Sequence, residues 1–308
     1  MREPIRETRF VPGWMDMGPK IPVPKIDWIS EKKLDVSYGE HRLQKMDIYY
    51  PNDRKKDSYP VVILVHGGGF THCDKRDWHL YPGFFALERG FVLASVNYRL
   101  APEVSYPALT EDLKSAIVFL RSNAEKFDLD PDNIFLYGTS AGGNMVSLVG
   151  LEGNASKGSG RDFHVNAVAA LCPAINFPRW LKRVPWYLKL LPEVRRTIRG
   201  YLGGNPTRNP ELAIRASADT RITGDCPAFY IQHGDQDPLI PVEQAVDFAR
   251  ALRDQGALGE KDLVLDVLKG AAHAGGGPDF LEPEHILPIL GFFENHITSN
   301  SGMDGGGV

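Results

Sequence analysis

Residues 133–142 read Asn133-Ile134-Phe135-Leu136-Tyr137-Gly138-Thr139-Ser140-Ala141-Gly142. The first five form an apolar run of strand length, and residues 143–149 after the stretch have the character of a helix. A sharp turn from strand to helix can hold one serine exposed in a strained position above a sheet. Glycines at both ends of the G-x-S-x-G pentapeptide let such a turn close, so the pattern predicts a nucleophile at Ser140. The chain has 31 glycines in 308 residues, and about 0.2 such pentapeptides occur by chance in a chain of this kind, so the prediction needs partners elsewhere.

Strand-like and helix-like segments alternate on both sides of the pentapeptide. Strands are predicted at residues 33–37, 43–50, 61–65, 91–96, 133–137, 165–171, 228–232 and 263–268. Helices are predicted at 77–89, 107–127, 242–255 and 280–296. The run Val61-Val62-Ile63-Leu64-Val65 is typical of a strand buried on both faces. The alternation predicts an α/β fold with a mainly parallel, doubly wound sheet covered by helices on both faces.

Three segments stand apart from this pattern. Residues 1–32 are proline-rich and predict either a loosely held arm or a strap whose aromatic residues cover part of a pocket. Residues 177–202 are apolar and basic and predict a small helical lid inserted in one domain that spans 33–298. The glycine-rich residues 299–308 predict a disordered tail.

The composition narrows the class of protein and its partners. A hydrophobic content of 43% and a charged content of 24% are ordinary for a soluble globular protein. The formal net charge of -4 gives no reason to expect a nucleic-acid partner. The three cysteines Cys73, Cys172 and Cys226 are scattered, which favours free thiols in a reducing compartment and no structural metal. No signal peptide or membrane-span length is apparent, so we expect a cytoplasmic protein, with homo-oligomerisation left open.

A serine on such a turn needs an acid and then a histidine from later strand ends. The loop after the strand at 228–232 contains two aspartates, Asp235 and Asp237. We favour Asp237, because the turn at Pro238 can present it at the outer end of the loop. Asp235 follows Gly234 and is expected to bind backbone groups within the turn.

Three histidines follow the acid loop. His273 lies among small residues just beyond the strand at 263–268, whereas His285 and His296 fall in the predicted closing helix. Small neighbours leave the imidazole room to face a serine and a ligand, so we favour His273. In this arrangement His273 takes the proton of Ser140 as the hydroxyl attacks a carbonyl, and Asp237 holds the imidazole in the required tautomer.

The sequence His66-Gly67-Gly68-Gly69-Phe70 follows the buried strand at 61–65. Glycines there can turn their N–H groups toward a tetrahedral oxyanion, and the Ala141 N–H follows the nucleophile, so this loop and Ala141 are predicted to supply the donors. The loop does not fit a phosphate cradle, because it lacks the Lys-Ser/Thr pair of a P-loop.

With these residues placed, the chain resembles the α/β-hydrolase esterases of the hormone-sensitive-lipase type, and more closely their acetyl- and feruloyl-esterase-like bacterial branch. The matching segments are Asp47-Ile48-Tyr49-Tyr50-Pro51, residues 66–70, Tyr98-Arg99-Leu100-Ala101-Pro102-Glu103, residues 138–143, Tyr201-Leu202-Gly203-Gly204 and residues 233–238. The resemblance covers about residues 34–293. One departure is the presence of Ala272 and Ala274 where such relatives often have glycine beside the histidine.

The resemblance implies a carboxylic ester hydrolase that uses Ser140, Asp237 and His273, with Gly67, Gly68 and Ala141 as the oxyanion donors. It implies action on short-chain, aryl or acetyl esters, with no metal or organic cofactor. Amide or formamide hydrolysis uses the same machinery and is an open alternative. A peptidase of the prolyl-oligopeptidase kind would need a further large domain, and a non-catalytic binding protein would have lost a triad residue.

Aromatic side chains near the glycine loop and in the lid are candidates for the substrate pocket: Phe70, Trp180 and Trp186. The lid also carries a set of basic residues, namely Arg179, Lys182, Arg183, Lys189, Arg195, Arg196 and Arg199. Two interpretations are open for the basic set, a solvated helix face and a preference for anionic substrates. Cys73 either borders the pocket or is a plain buried thiol.

Overall fold

The computed structural model describes residues 23–183, 192–256, 258–274 and 279–298. Eight strands form one sheet: β1 Lys32–Ser37, β2 Lys45–Tyr49, β3 Tyr59–Val65, β4 Val92–Val96, β5 Leu129–Thr139, β6 Ala167–Leu171, β7 Ala228–Gly234 and β8 Leu263–Leu268. Their order across the sheet is β1-β2-β4-β3-β5-β6-β7-β8. The β1–β2 and β2–β4 pairs are antiparallel, and every later pair is parallel. The predicted mainly parallel sheet is confirmed.

Helices cover both faces of this sheet. Within the described ranges they are α1 Tyr81–Glu88, α2 Ala108–Ser122, α3 Ala141–Gly153, α4 Phe177–Arg183, α5 Pro192–Leu202, α6 Pro210–Arg215, α7 Glu243–Gln255 and α8 Pro283–Glu294. Short 3-10 turns are found at Trp78–Leu80, Glu125–Phe127, Asn154–Ser156, Ala218–Arg221 and Asp279–Leu281. Three predicted helices are shorter than expected: 77–89 is α-helical only over Tyr81–Glu88, 107–127 ends as an α-helix at Ser122, and 280–296 begins its α-helix at Pro283.

The central strand β3 shows why the sheet must be covered twice. All seven of its residues are buried, and successive side chains point to opposite faces. Val61, Ile63 and Val65 pack in the core layer beneath α2, α3 and α7. Val62 and Leu64 pack in the layer beneath α1 and α8. A continuous β-branched run therefore serves two cores at once.

The described part of the N-terminal arm lies against α1. The Trp28 ring meets the Phe84 ring edge-on at 5.1 Å, and Ile29 is buried in the core layer that contains α1. Residues 1–22 of the predicted strap and residues 299–308 of the predicted tail lie outside the described residues. In the described ranges, no helix combines the length and the apolar character that crossing a bilayer requires.

Candidate active site

Ser140 occupies the turn between β5 and α3. Its backbone has φ 57° and ψ −113°, a left-handed conformation rare for a serine, and its N–H donates to the Leu171 carbonyl at 2.7 Å. A Cβ atom at Gly142 would lie 2.2 Å from the Val65 carbonyl oxygen, and one at Gly138 would lie 2.5 Å from the Gly142 oxygen. The turn can close this tightly only with glycine at both positions, and the closed turn places Ser140 at the carboxyl edge of the parallel strands.

The structure brings His273 and Asp237 to this serine. His273 Nε2 lies 2.9 Å from Ser140 Oγ, and His273 Nδ1 lies 2.6 Å from Asp237 Oδ2. The other carboxylate oxygen of Asp237 accepts the N–H groups of Leu239 and Ile240 at 2.8 and 2.9 Å. The turn after β7 thus fixes the carboxylate, which is fully buried, while 14% of the His273 side chain is exposed.

Electrostatics couple the two members of this pair. Burial alone would lower the pKa of His273, but the charge and hydrogen bond of Asp237 raise it above the ordinary histidine value of 6.5. Burial alone would raise the pKa of Asp237, but His273 and a contact from His233 hold it below its ordinary range. The imidazole is therefore a stronger base than a free histidine.

The competing residues lie elsewhere, as expected from the sequence. Asp235 Oδ1 accepts the N–H of Gly270 at 2.7 Å and so braces the turn that precedes His273. His285 lies on α8, and His296 binds the Phe292 carbonyl at 2.8 Å. The alanines that flank His273 do not prevent its contacts with Ser140 and Asp237.

Hydrogen bonds fix individual peptide groups of the glycine loop after β3. The Gly67 N–H donates to His79 Nε2 at 3.1 Å. The Gly68 carbonyl accepts the N–H groups of Thr71 and His72 at 3.1 and 3.2 Å. Because the C=O and N–H of a trans peptide point in opposite directions, the bound Gly68 carbonyl turns the Gly69 N–H away from Thr71 and His72.

The prediction of Gly67 as an oxyanion donor is wrong in this structure. Its N–H is already donated to His79, a residue twelve positions later that the motif could not reveal. In the described parts of the chain, the N–H groups of Gly68, Gly69 and Ala141 have no acceptor. Gly69 and Ala141 also line the cavity beside Ser140. The free donors therefore include Gly69, which the sequence interpretation missed.

An apolar cavity of about 60 Å³ opens beside Ser140 and His273. Aliphatic and aromatic side chains of α4, α5 and the adjacent loops form its wall: Phe70, Ala174, Phe177, Trp180, Val194, Ile198, Tyr201, Leu239 and Ile240. The Phe70 ring stacks on the Tyr201 ring with centroids 3.5 Å apart. Sites that bury drug-sized ligands measure about 300–1,000 Å³, so this cavity suits only a small apolar group.

Two helices, α4 and α5, fall within the segment predicted as a lid, and side chains of both line the cavity. Trp180 lines the cavity and also donates its indole N–H to the Leu239 carbonyl at 2.7 Å, which ties α4 to the loop that carries Asp237. Trp186 lies outside the described residues, as does Lys189. Phe177, Val194 and Ile198 were not singled out in the sequence, because helical apolar spacing does not show which face borders a cavity.

The basic lid residues separate into two groups. Arg179 contacts Asp247 at 3.2 Å and Arg183 contacts Glu243 at 3.4 Å, so α4 is paired with α7. The sequence did not reveal these acidic partners, because they lie some sixty positions later in the chain. Arg195, Arg196 and Arg199 of α5 are exposed and line a second, open cavity together with Pro102, Pro192 and Gly200. A preference for anionic substrates stays a prediction for this second group alone.

A family model and several known proteins match the sequence of this chain. The family model described as BD-FAE matches residues 46–252. Esterase LipC of Mycobacterium tuberculosis is 32% identical over 278 residues, which are 85% of this chain and 64% of LipC. Esterase LipQ of the same organism is 30% identical over 243 residues, 78% of this chain and 56% of LipQ. The chain thus spans between about half and two thirds of the length of these relatives.

Solved structures share the fold. A truncated form of a carbohydrate esterase from gut microbiota superposes with a TM-score of 0.77 at 22% identity, covering 89% of this chain and 98% of that one. At this identity the match shows the architecture alone. Together with the strand order of this chain, the match identifies the fold as that of the α/β-hydrolases.

Proposed function

The chain belongs to the BD-FAE family, and we propose that it is a serine carboxylic ester hydrolase acting on short-chain acyl esters. The observation that carries the proposal is the contact of Ser140 Oγ with His273 Nε2 at 2.9 Å, beside a small apolar cavity. A serine, a histidine and a buried aspartate in this contact order can generate a nucleophile at neutral pH. The names of the relatives LipC and LipQ support ester hydrolysis as the reaction.

In the proposed first step, Ser140 Oγ attacks the ester carbonyl carbon while its proton passes to His273 Nε2. Asp237 accepts the Nδ1–H throughout and stabilises the imidazolium without becoming protonated. The tetrahedral intermediate collapses as His273 returns the proton to the leaving alcohol oxygen, and the acyl group stays on Ser140. Water then gives a proton to His273 and attacks the acyl carbonyl. The second tetrahedral intermediate collapses as the bond to Ser140 Oγ breaks and His273 returns the proton to that oxygen, which releases the acid and restores the serine.

Negative charge develops on the carbonyl oxygen in both halves of the reaction. We assign its stabilisation to the N–H groups of Gly68, Gly69 and Ala141, since these donors have no protein acceptor in the described ranges. Removing one such donor typically lowers kcat by about 10²- to 10³-fold. Gly67 has no direct part in this scheme because His79 occupies its N–H.

The cavity beside Ser140 is the proposed acyl site. Its volume of about 60 Å³ and its apolar wall favour acetyl to butyryl groups over long acyl chains. Phe70 and Trp180 are proposed as wall residues, and no metal or organic cofactor has a part in the reaction. Three free cysteines, Cys73, Cys172 and Cys226, lead us to propose a reducing, cytoplasmic location.

The test is hydrolysis of p-nitrophenyl acetate, butyrate and octanoate beside the matched anilide and an aryl formamide. We expect acetate and butyrate to react fastest and Ser140→Ala to lower kcat by about 10⁶-fold. Ser58→Ala, an exposed serine in the loop before β3, is the matched control and should retain full activity. A phosphonate should label the wild-type protein on Ser140 alone.

The proposal fails if the wild type cleaves none of the esters or if Ser140→Ala keeps its ester activity. Faster cleavage of the anilide or formamide than of any ester would instead identify an amide hydrolase that uses the same residues. Fastest cleavage of the octanoate would refute the assignment of the small cavity as the acyl site.

A further inference from the structure

A second aspartate–histidine pair lies behind the glycine loop. His79 Nδ1 is 2.7 Å from Asp77 Oδ1, and both residues are only 5% exposed. The Gly67 N–H points at the other ring nitrogen, His79 Nε2, at 3.1 Å. A backbone N–H can only donate, so Nε2 must carry a lone pair and the ring proton must lie on Nδ1, where it is donated to Asp77.

The surroundings of this pair hold it still. Asp77 also accepts the His79 backbone N–H at 2.9 Å and the Asp74 N–H at 3.1 Å. The Trp78 ring stacks on the His79 ring with centroids 3.8 Å apart. The carboxylate thus has several donors, and the imidazole is fixed in both position and tautomer.

The opposite side of the loop is bound as well. Tyr98, which is 1% exposed, donates its hydroxyl to the His66 carbonyl at 2.9 Å and lies 3.3 Å from the Gly67 carbonyl. The peptide between His66 and Gly67 is therefore gripped at both ends, its C=O by Tyr98 and its N–H by His79. The Gly67 carbonyl shares a rigid plane with the Gly68 N–H, so fixing one group fixes the direction of the other.

We propose that Asp77 and His79 are positioning residues for the oxyanion loop, which hold the Gly67 peptide so that the next N–H groups face the developing oxyanion. The inference rests on the proposed ester hydrolysis. His79 transfers no proton in this role, because a peptide N–H is far too weak an acid and Ser140 is already served by His273. A displacement of about 1 Å in such a group can lower a rate by about 10²-fold.

The experiment compares His79→Leu, which removes the acceptor, with His79→Gln, whose amide oxygen can reach the place of Nε2. We expect His79→Leu to lower kcat by about 10- to 100-fold with KM little changed, because the donors act mainly on the transition state. Affinity for a trifluoromethyl ketone, which forms a tetrahedral adduct with Ser140, should fall in parallel. His79→Gln should recover most of both losses. His285→Leu on α8 is the matched control and should behave like the wild type.

The inference is overturned if His79→Leu keeps the wild-type kcat and ketone affinity, or if KM rises while kcat is unchanged. It is also overturned if His79→Gln is as impaired as His79→Leu while both remain folded by circular dichroism. Failure of the proposed function itself would look different, since the wild type would then hydrolyse no ester.

A measurement on the unaltered protein covers the case in which the variants do not fold. Nitrogen NMR of the histidine rings should find the His79 proton on Nδ1 and no proton on Nε2. The Gly67 amide proton should exchange slowly with solvent, since it is buried and hydrogen-bonded. A proton on Nε2, or fast exchange of Gly67, would refute the inference without any substitution.

Discussion

Two aspartate–histidine pairs flank the same glycine loop, and they differ in what the far ring nitrogen meets. In the pair Asp237–His273, Nε2 faces the Ser140 hydroxyl at 2.9 Å. In the pair Asp77–His79, Nε2 faces the Gly67 N–H at 3.1 Å. The contact between the histidine Nδ1 and the aspartate is almost the same in the two pairs, with distances of 2.6 and 2.7 Å.

The comparison shows that an Asp–His pair has no fixed role of its own. A hydroxyl can give up its proton during attack, so the pair that faces it can act as a base. A peptide N–H keeps its proton, so the pair that faces it can only hold the peptide in place. Exposure follows the same division: 14% of the His273 side chain is open toward the cavity, whereas 4% of the His79 side chain is exposed.

The largest expected contrast comes from the same substitution in each pair. Asp237→Asn should lower kcat by about 10⁴-fold, because an amide favours the wrong tautomer of the catalytic imidazole. Asp77→Asn should lower kcat by only about 10- to 100-fold, since it disturbs the position of donors rather than proton transfer. Steady-state kinetics on p-nitrophenyl acetate measure both.

Asparagine is a good helix N-cap, so Asp77→Asn should preserve the turn that leads into α1. Equal losses of kcat from the two substitutions would contradict the different roles proposed for the two pairs. An Asp77→Asn variant with wild-type kcat would contradict the positioning role of Asp77.

Substitutions in the two pairs should change the pH dependence of kcat/KM in different ways. Only the neutral imidazole of His273 can accept the serine proton, so kcat/KM should rise with pH through an ionisation above 6.5, since Asp237 raises the pKa of His273. Asp237→Asn removes the carboxylate and should move that limb to lower pH. His79→Gln should lower the rate little and leave the limb where it is, because His79 exchanges no proton in the reaction.

The rate of acetate hydrolysis between pH 5 and 10 tests this expectation. A limb that moves with His79→Gln would mean that His79 titrates in the reaction, which contradicts its positioning role.

The smallest expected effect concerns the thiol beside each pair. Cys172 lies within 4.8 Å of the Asp237–His273 groups, and Cys73 lies equally near the Asp77–His79 groups. Burial raises the pKa of both thiols, so each stays neutral and adds no charge. Cys172→Ala and Cys73→Ala should therefore lower stability by about 1 kcal/mol and change kcat little.

Thermal unfolding and the same kinetic assay check the two cysteine variants. A loss in kcat comparable with that of Asp237→Asn would show that Cys172 has a direct part in the chemistry.

Local patterns account for the features that the sequence predicted well. Each buried strand is a short hydrophobic run, so most strands were located within a few residues. Of β5, only the part that leads into the serine turn was located. The turn itself was partly predictable because Gly138 avoids a conflict with the Gly142 carbonyl within five residues of chain, whereas the conflict at Gly142 is with the Val65 carbonyl of the distant strand β3. The choice of acid and histidine was narrowed to Asp237 and His273 by chain order and by neighbouring residues, both of which can be read along the sequence.

The mistaken and missing features all depend on distant contacts. Gly67 was assigned as a donor because the motif does not show that His79 takes its N–H. Arg179 and Arg183 looked unpaired because their partners Asp247 and Glu243 belong to α7. The volume of the cavity beside Ser140 depends on how α4 and α5 pack over the sheet, and no residue spacing within either helix gives that volume.

The sequence by itself therefore determined the class of fold, the order of its strands and helices along the chain, and which serine, aspartate and histidine the structure brings into contact. These follow from hydrophobic periodicity and from conflicts that a few neighbouring residues resolve. The tertiary structure alone decided which glycine N–H groups are free for an oxyanion, which histidine faces a hydroxyl and which a peptide, and how small the cavity is. Hydrogen-bond partners across a sheet edge are chosen by packing over distances that no local pattern records.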